Sequence, residues 1–328
     1  MAGPQRLPWW RNRRLLPWLV QAAVGLVVLV VVAFLVSNLV RNLTAAGLLL
    51  TWSWLSNPAG FDIAESSIPF SASQPYAWAL LAGLVNTLKV VLVGLVGATA
   101  LGTLVGAAAF SRNGLLKRLA RVYVELVRNI PLLLQLVFWY FVVFLALPNG
   151  SQAIQWPGVV LAKSGLYLGW FGADGHWQLP LLSGGVWQAP LRLTVEFSAL
   201  LTGLVVYTAA FIAEVVRGGI AAVPQGQWEA ARALGLSPVV TLRRIVMPQA
   251  LRVIVPGLNS QYISLAKNSS LAVACGYTDL YSVAETTLNQ TGRAVEVVLL
   301  LLGSYLVLDL LISALMNGLN AAVQWKER

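Results

Sequence analysis

The sequence predicts an all-α integral membrane protein with about six transmembrane helices and both termini in the cytoplasm. Of its 328 residues, 58% are hydrophobic and only 10% are charged, whereas soluble domains carry about 25% charged residues. Long apolar runs alternate with short basic clusters, and the runs approach the ~20 residues that cross a bilayer. This composition leaves too little charge to cover a water-facing surface and argues against a soluble enzyme.

The positive net charge of +10 does not by itself indicate a nucleic-acid partner. Most of the basic residues sit in short clusters between apolar runs, which is how membrane proteins mark their cytoplasmic side. We therefore expect the lipid bilayer, and no nucleic acid, to be the partner of this charge. The single cysteine, Cys275, excludes an internal disulfide, and with the single histidine, His176, it makes a structural zinc site unexpected, so no metal site is predicted.

The first apolar run, residues 17–40, is predicted to be a retained membrane helix rather than a signal peptide. It is longer than the ~7–15 residues of a signal peptide's apolar core, and no small-residue cleavage site follows it. Five further runs have spanning length. The six predicted spans are 17–40, 80–110, 122–147, 191–216, 253–273 and 295–316.

The charges give these spans a consistent orientation. Sixteen of the 22 Lys and Arg residues fall in or beside the segments that this topology places inside. Within the outer segment 148–190, residues 158–171 are apolar but too short to span, and they predict a surface or re-entrant helix. The predicted divisions are an N-terminal helix with an extracytoplasmic segment (1–78), a membrane core (79–319) and a cytoplasmic tail (320–328), the core containing a cytoplasmic loop at 217–252 and the outer insert 148–190.

Two patterns predict how the helices pack. Small residues recur every four positions in the second span, at Gly94, Ala98, Gly102 and Gly106. They share one helix face and allow a neighbouring helix to approach closely. At the inner end of the fourth span, Glu214 and Arg217 are three apart, which favours an ion pair on one helix.

The cytoplasmic loop 217–252 contains a predicted helix–turn–helix. Residues 227–234 are good helix formers, and Gly235 stands where a helix end favours a left-handed residue. Ser237 and Pro238 then suit the N-cap and first position of a second short helix, which we expect to stop at Pro248.

The first of these helices carries both a predicted ion pair and apolar side chains. Glu229 and Arg232 are spaced to pair on it. Trp228 and Leu234 are apolar side chains on a polar element, which suggests docking to another protein.

This loop resembles the cytoplasmic loop of the membrane subunits of ATP-binding-cassette (ABC) importers. The family pattern is Glu-Ala-Ala, three residues, Gly, nine residues, Ile, any residue, Leu and Pro. Met247 replaces the usual Leu. By the resemblance, the loop couples the chain to a separate ATPase and the fold is that of a type I ABC importer permease. The residues that match the pattern, together with the adjacent Trp228, are the predicted coupling residues: Trp228, Glu229, Ala230, Ala231, Gly235, Ile245 and Pro248.

Flanking segments narrow the resemblance to importers of amino acids. Residues 211–220, 128–135 and 267–271 resemble the polar-amino-acid branch, which includes the histidine and glutamine permeases. Residues 288–292 point towards its general L-amino-acid members. The resemblance extends from about residue 80 to the C-terminus, is weakest over 148–190, and implies a bacterial inner-membrane location.

The fifth span is unusually polar. Ser260, Ser264 and Asn268 recur every four residues and form one stripe, with Lys267 and Ser269 beside it. One hypothesis is that the stripe lines the substrate path, with Lys267 attracting a carboxylate. The alternative is hydrogen bonding between helices, or a Lys267 side chain that extends to the membrane surface.

Two other charges within the spans have no predicted role. Lys89 has the same two interpretations as Lys267, and the role of Asp309 stays open.

The resemblance also implies the energy source and the partners. The chain has no Gly-x-x-x-x-Gly-Lys-Ser/Thr phosphate loop, so we expect it to bind no cofactor, with ATP–Mg bound by a dimer of partner ATPase subunits. An extracytoplasmic solute-binding protein would deliver the amino acid, and a second, related permease subunit would complete the path. The alternatives are an ion-driven secondary transporter of small polar solutes, which would need coupling sites and usually inverted repeats, and a membrane enzyme, for which no catalytic constellation is seen.

Overall fold

The structure is a computed structural model that describes residues 16–45, 47, 50–111, 113–172 and 175–324. The basic residues at 6–14, Arg112, and residues 325–328 of the predicted tail lie outside the described residues. The chain divides into two units, residues 1–52 and 53–328. The first contains α1, Leu16–Ala45, a 30-residue apolar helix with no buried residue, as expected of a helix whose surroundings are lipid.

The second unit is a helical bundle interrupted by a small β-rich insert. Short 3₁₀ helices cover Ser53–Ser56, Gly150–Gln152 and Ser269–Cys275, and π-helical turns cover Phe138–Phe144 and Leu242–Val246. Its α-helices are α2 Tyr76–Ala108, α3 Gly114–Asn129, α4 Leu132–Val137, α5 Val195–Ala221, α6 Gln225–Ala233, α7 Pro238–Thr241, α8 Met247–Asn268, α9 Leu280–Thr291 and α10 Ala294–Val323.

Helices α2 and α5 form the most extensive helix pair of the bundle. The predicted small-residue face of α2 is fully buried, which confirms the packing inferred from its four-residue spacing. A Cβ atom added at Gly102 would lie 2.6 Å from the Cβ of Ile212 and 2.8 Å from the carbonyl oxygen of Ala209. The two backbones are therefore in a contact that only glycine permits at this position.

The predicted third span, residues 122–147, is not one straight helix. The chain bends by 106° between α3 and the segment Leu132–Phe144. Pro131 explains the break, because the residue before proline is driven out of the helical conformation, and Ile130 is extended at ψ 128°. The Gln135 side chain donates to the carbonyl oxygens of Val127 and Ile130, which the break leaves without helical partners.

The insert 148–190 is β-structured, so the helix predicted over residues 158–171 is wrong. The strands are β1 Ile154–Trp156, β2 Val159–Ala162, β3 Gly165–Leu168, β4 Trp170–Phe171, β5 Trp177–Gln178, β6 Leu181–Ser183, β7 Val186–Gln188 and β8 Leu191–Leu193. They form a four-stranded antiparallel sheet of order β1-β2-β3-β8 and two antiparallel pairs, β4–β5 and β6–β7.

The alternating burial of β2 and β3 shows why this stretch is a strand pair and not a helix. Val160 and Ala162 are buried on β2 while their neighbours are half-buried, as a period of two requires. Tyr167 and Trp187 complete a small core of the insert. The predicted start of the fourth span at residue 191 is also corrected, because residues 191–193 form β8 and α5 begins at Val195.

By length and composition, four described helices can cross a membrane: α1, α2, α5 and α10. The bent pair of α3 and Leu132–Phe144 would make a fifth. Helix α8, the predicted fifth span, is not among them, in keeping with its polar side chains. The count of about six spans and the cytoplasmic placement of both termini stay predictions.

Candidate functional site

Four of the predicted coupling residues, 228–231, lie on α6. Gly235 lies in the turn between α6 and α7, Ile245 in the π-helical turn Leu242–Val246, and Pro248 at the start of α8. Helix α6 ends at Ala233 with Leu234 as its C-cap, within one residue of the predicted end, and Gly235 follows with a φ of +69°. The backbone N–H of Leu236 donates to the carbonyl oxygen of Ala231 at 3.1 Å, and that of Gly235 donates to Arg232 at 3.0 Å. These two bonds form a complete Schellman motif, which fixes the direction in which the chain leaves α6.

The second helix also begins as predicted but ends differently. The Ser237 hydroxyl accepts from the N–H of Val240, and Pro238 takes the first turn of α7. The expected stop at Pro248 is wrong, because α7 passes through the π-helical turn Leu242–Val246 directly into α8. In that turn the N–H of Met247 donates to the carbonyl of Leu242, five residues back. A wider turn of this kind accommodates the ring of Pro248 without ending the helix.

The coupling residues divide into an inward and an outward set. Ala231 is buried, and Trp228 packs against the chain's own core instead of projecting as an exposed docking side chain. Glu229, Ala230 and Gly235 are exposed. Two apolar side chains nearby are also largely exposed, Leu234 at 77% and Val239 at 74%.

The predicted ion pair between Glu229 and Arg232 does not form. Instead, Nε of Arg232 donates to the carbonyl oxygen of Trp228 at 3.2 Å. The Glu229 carboxylate is therefore left on the exposed side of α6, where a partner chain can reach it.

Four of the five predicted path residues share one face of α8, and the fifth does not. Ser260, Ser264 and Lys267 are exposed along one side of the helix, and Asn268 is half-buried. Ser269 is buried, and its hydroxyl donates to the carbonyl oxygen of Ala266 at 2.7 Å. The structure therefore separates Ser269 from the face that the other four predicted path residues share.

Lys267 lies near the carboxylate of Asp309, a residue with no role predicted from the sequence. Its Nζ lies 3.5 Å from Oδ2 of Asp309 on α10, with side-chain exposures of 61% for the lysine and 17% for the aspartate. Two unexplained charges in separate apolar spans are a signal for such a pair, because an unpaired charge in a membrane is costly.

The ion pair between Glu214 and Arg217 is confirmed, with Nη2 of Arg217 2.8 Å from Oε2 of Glu214. Arg128 approaches the same carboxylate oxygen at 4.0 Å and stacks over the Phe211 ring. These groups line a cavity of about 830 Å³ between α2, α3 and α5. Among the described residues, no group of three or more His, Cys, Asp or Glu side chains is arranged to hold a metal ion.

Residues 98–325 match the family described as the binding-protein-dependent transport system inner membrane component. The chain belongs to this family. Its membership confirms the resemblance and does not favour the ion-driven or enzymatic alternatives. Family members work in general with a binding protein and an ATPase, so the chain is a multi-pass inner-membrane transport subunit and not an enzyme.

Relatives over nearly the whole chain support this placement. A putative amino-acid ABC transporter permease protein, YhdX, of Escherichia coli is 38% identical, with 95% of each chain covered. A general L-amino acid transport system permease protein, AapQ, of Rhizobium johnstonii is 40% identical over 89% of this chain and 87% of that protein.

Solved structures show the same fold. A crystal structure of an amino acid ABC transporter with histidines matches with a TM-score of 0.56 and 25% identity, covering 75% of this chain and 95% of its own. The MetNI methionine ABC transporter, in an inward-facing conformation, matches with a TM-score of 0.52 and 22% identity, covering 76% and 97%. The bundle of this chain is thus the type I ABC importer permease fold.

Proposed function

We propose that this chain forms half of the membrane path of an importer of L-amino acids, polar or broad in range. The observation that carries the coupling part of the proposal is the α6–Gly235–α7 geometry on a Glu-Ala-Ala sequence, with exposed apolar and acidic side chains beside it. The amino-acid substrate is supported by relatives that are named as amino-acid permeases.

The exposed side of α6 and α7 offers the ATPase a surface of mixed character. Leu234 and Val239 provide apolar area, and Glu229 provides a negative charge. Coupling helices that seat in a groove need this combination, because apolar contact supplies affinity and charge sets orientation. In the proposal, a dimer of ATP-binding subunits binds ATP–Mg, this chain binds no cofactor, and ATP hydrolysis moves the coupling helices.

A second, related permease subunit completes the path. The exposed stripe of Ser260, Ser264 and Lys267 would face a path lined by both subunits, since exposed polar groups in a membrane normally meet a partner or a water-filled cavity. An extracytoplasmic solute-binding protein delivers the amino acid to the outer end of this path.

The coupling role is tested by purifying the tagged chain from its host and identifying proteins that co-purify. The parent should recover an ATPase, and Glu229→Arg should lose at least about 90% of it, because a charge reversal within a contact removes a favourable interaction and adds repulsion. Glu285→Arg, a reversal of an exposed acid on α9, is the control and should retain the ATPase. A folded parent that recovers no ATPase would refute the coupling role.

The path role of Lys267 is tested by ATP-driven uptake of radiolabelled amino acids. Lys267→Met should lower the uptake rate at least ~10-fold while the ATPase still co-purifies, because a charge-assisted hydrogen bond to the substrate carboxylate is lost. This substitution also leaves Asp309 without its counter-ion, so the double variant Lys267→Met/Asp309→Asn is the control. Recovery of uptake in the double variant would mean that the ion pair is only structural.

A further inference from the structure

Residues 53–75, which we call the outer strap, precede α2 and are fastened to the bundle at both ends. Trp54 and Ala59 are buried in a cluster with Tyr76 and Ala79 of α2. The same cluster includes residues of α9 and α10, and the two ends of the strap are bridged at Pro58 and Pro75. Apolar packing and backbone pairing therefore hold both ends of the strap against the bundle.

The middle of the strap is clamped by a buried amide. Asn86 of α2 is fully buried, and its Nδ2 donates to the carbonyl oxygens of Glu65 and Thr278, each at 2.7 Å. Its Oδ1 accepts from the N–H of Ser67 at 3.0 Å. These bonds fix the backbone of residues 65–67 against α2 and set the direction of the Glu65 side chain.

The Glu65 carboxylate occupies a site built by α2 and α5. Nζ of Lys89 donates to Oε1 of Glu65 at 2.9 Å, and the Thr194 hydroxyl donates to Oε2. The ammonium of Lys89 also lies 4.5 Å from the centre of the buried Phe197 ring. Thr194 caps the N-terminus of α5, where the helix dipole favours a negative charge.

The contacts of Glu65 with Lys89 and Thr194 are those of a carboxylate-binding site and are not needed to anchor the strap. The strap is already anchored by its aromatic cluster and by Asn86, whereas the ion pair is partly open to solvent, with exposures of 32% for Lys89 and 18% for Glu65. Another carboxylate that replaced Glu65 would restore the contacts with Lys89 and Thr194, so neither group would be left unpaired in the membrane. The contacts with Thr194 and Phe197 place the site at the start of α5, the helix that follows the insert in the chain.

We infer that Lys89 and Thr194 form an entry site for the α-carboxylate of the transported amino acid, and that Glu65 fills this site when no substrate is present. The inference rests on the proposed function, because it assumes that the delivered solute is an amino acid. It gives Lys89 the role of binding the substrate carboxylate. It also gives the strap a role beyond packing, because its Glu65 occupies the empty site.

Two substitutions that break the same ion pair separate the entry site from a structural contact. The complete complex, with its ATPase and binding protein, is reconstituted in vesicles, and initial uptake of radiolabelled L-glutamate is measured at saturating binding protein. Lys89→Gln should lower the rate at least ~10-fold, because a charged hydrogen-bond donor to the carboxylate is lost. Glu65→Gln should raise the rate, because the internal competitor is weakened. A change of the same sign in both variants would overturn the inference.

The double variant Glu65→Lys/Lys89→Glu decides the case if either single variant fails to assemble. It restores an ion pair with reversed polarity, so a structural role predicts recovery of uptake. The entry site predicts that uptake stays low, because the incoming carboxylate would meet a carboxylate. If the parent complex shows no ATP-dependent uptake of any amino acid, the proposed function fails; if the parent transports and the double variant matches it, only this inference fails.

Discussion

Gly235 is the residue on which the geometry of the coupling loop, residues 217–252, depends most directly. Its φ of +69° lies in the left-handed region, where an L side chain costs roughly 1–2 kcal/mol. Gly235→Ala should therefore destabilise the turn between α6 and α7 by about 1 kcal/mol and reduce coupling. We expect a lower recovery of ATPase and a lower ratio of uptake to ATP hydrolysis in this variant.

Gly226→Ala is the matched control for that substitution. Gly226 lies within α6, its φ is not positive, and an added Cβ would contact nothing within 4 Å. Alanine there should keep coupling at the parent level and favour the helix slightly. Equal losses in both variants would show that the left-handed turn is not the relevant feature.

The residues of the candidate site were predictable to different degrees. The turn at Gly235 and the cap at Ser237 follow from local backbone chemistry, so the sequence alone located them. The pairing of Lys267 with Asp309 joins residues far apart in the chain, and no local rule predicts such a contact. An aromatic residue on a polar helix, such as Trp228, suits an interface or the chain's own core equally well, and its packing against the core follows only from the tertiary structure.

At the scale of elements, the contact between α2 and α5 depends on Gly102. A side chain at this position meets Ile212 and the backbone of Ala209, and overpacking of this kind costs about 1–3 kcal/mol. Gly102→Val should lower the thermal midpoint of the purified complex by several degrees. Gly303→Val, on a face of α10 where an added Cβ contacts nothing within 4 Å, should shift it much less. Similar shifts in the two variants would contradict the packing argument.

Long helices were predicted well because their apolar length is a strong signal. The insert was predicted wrongly because short apolar runs suit a strand or a helix, and only the pairing of β2 with β3 and β8 decides between them. The bend at Pro131 was missed because proline also occurs inside membrane helices, where neighbouring groups satisfy the backbone. Here the Gln135 side chain does so, and its conformation depends on the bend itself.

At the scale of the whole molecule, Asp279 should make stability depend on pH. It lies outside the spans at the start of α9, and burial raises its pKa to about 7 from 3.8, although the N–H of Ser282 and the Tyr305 hydroxyl contact the carboxylate. Between pH 4 and pH 7 the folded chain binds more protons than the unfolded chain, so the free energy of unfolding falls as pH rises through this window.

Asp279→Asn should remove most of that dependence while keeping the helix cap, since asparagine is an equally good N-cap residue. The thermal midpoint of the parent complex should decrease as the pH is raised from 5 to 8, and the decrease should be smaller in Asp279→Asn. Asp62→Asn, at an exposed position in the outer strap, should follow the parent. A variant that is as pH-sensitive as the parent would exclude Asp279 as the cause.

The continuous path from α7 through the π-helical turn into α8 makes this part of the chain a lever. Lys267 lies 20 residues beyond Met247, which corresponds to ~30 Å along a helix axis. Each ~2° of tilt at the cytoplasmic end therefore displaces the far end by ~1 Å. A tilt of ~7° would move Lys267 by as much as the 3.5 Å that separates it from Asp309, so a modest rotation where the ATPase is expected to bind is enough to open this ion pair.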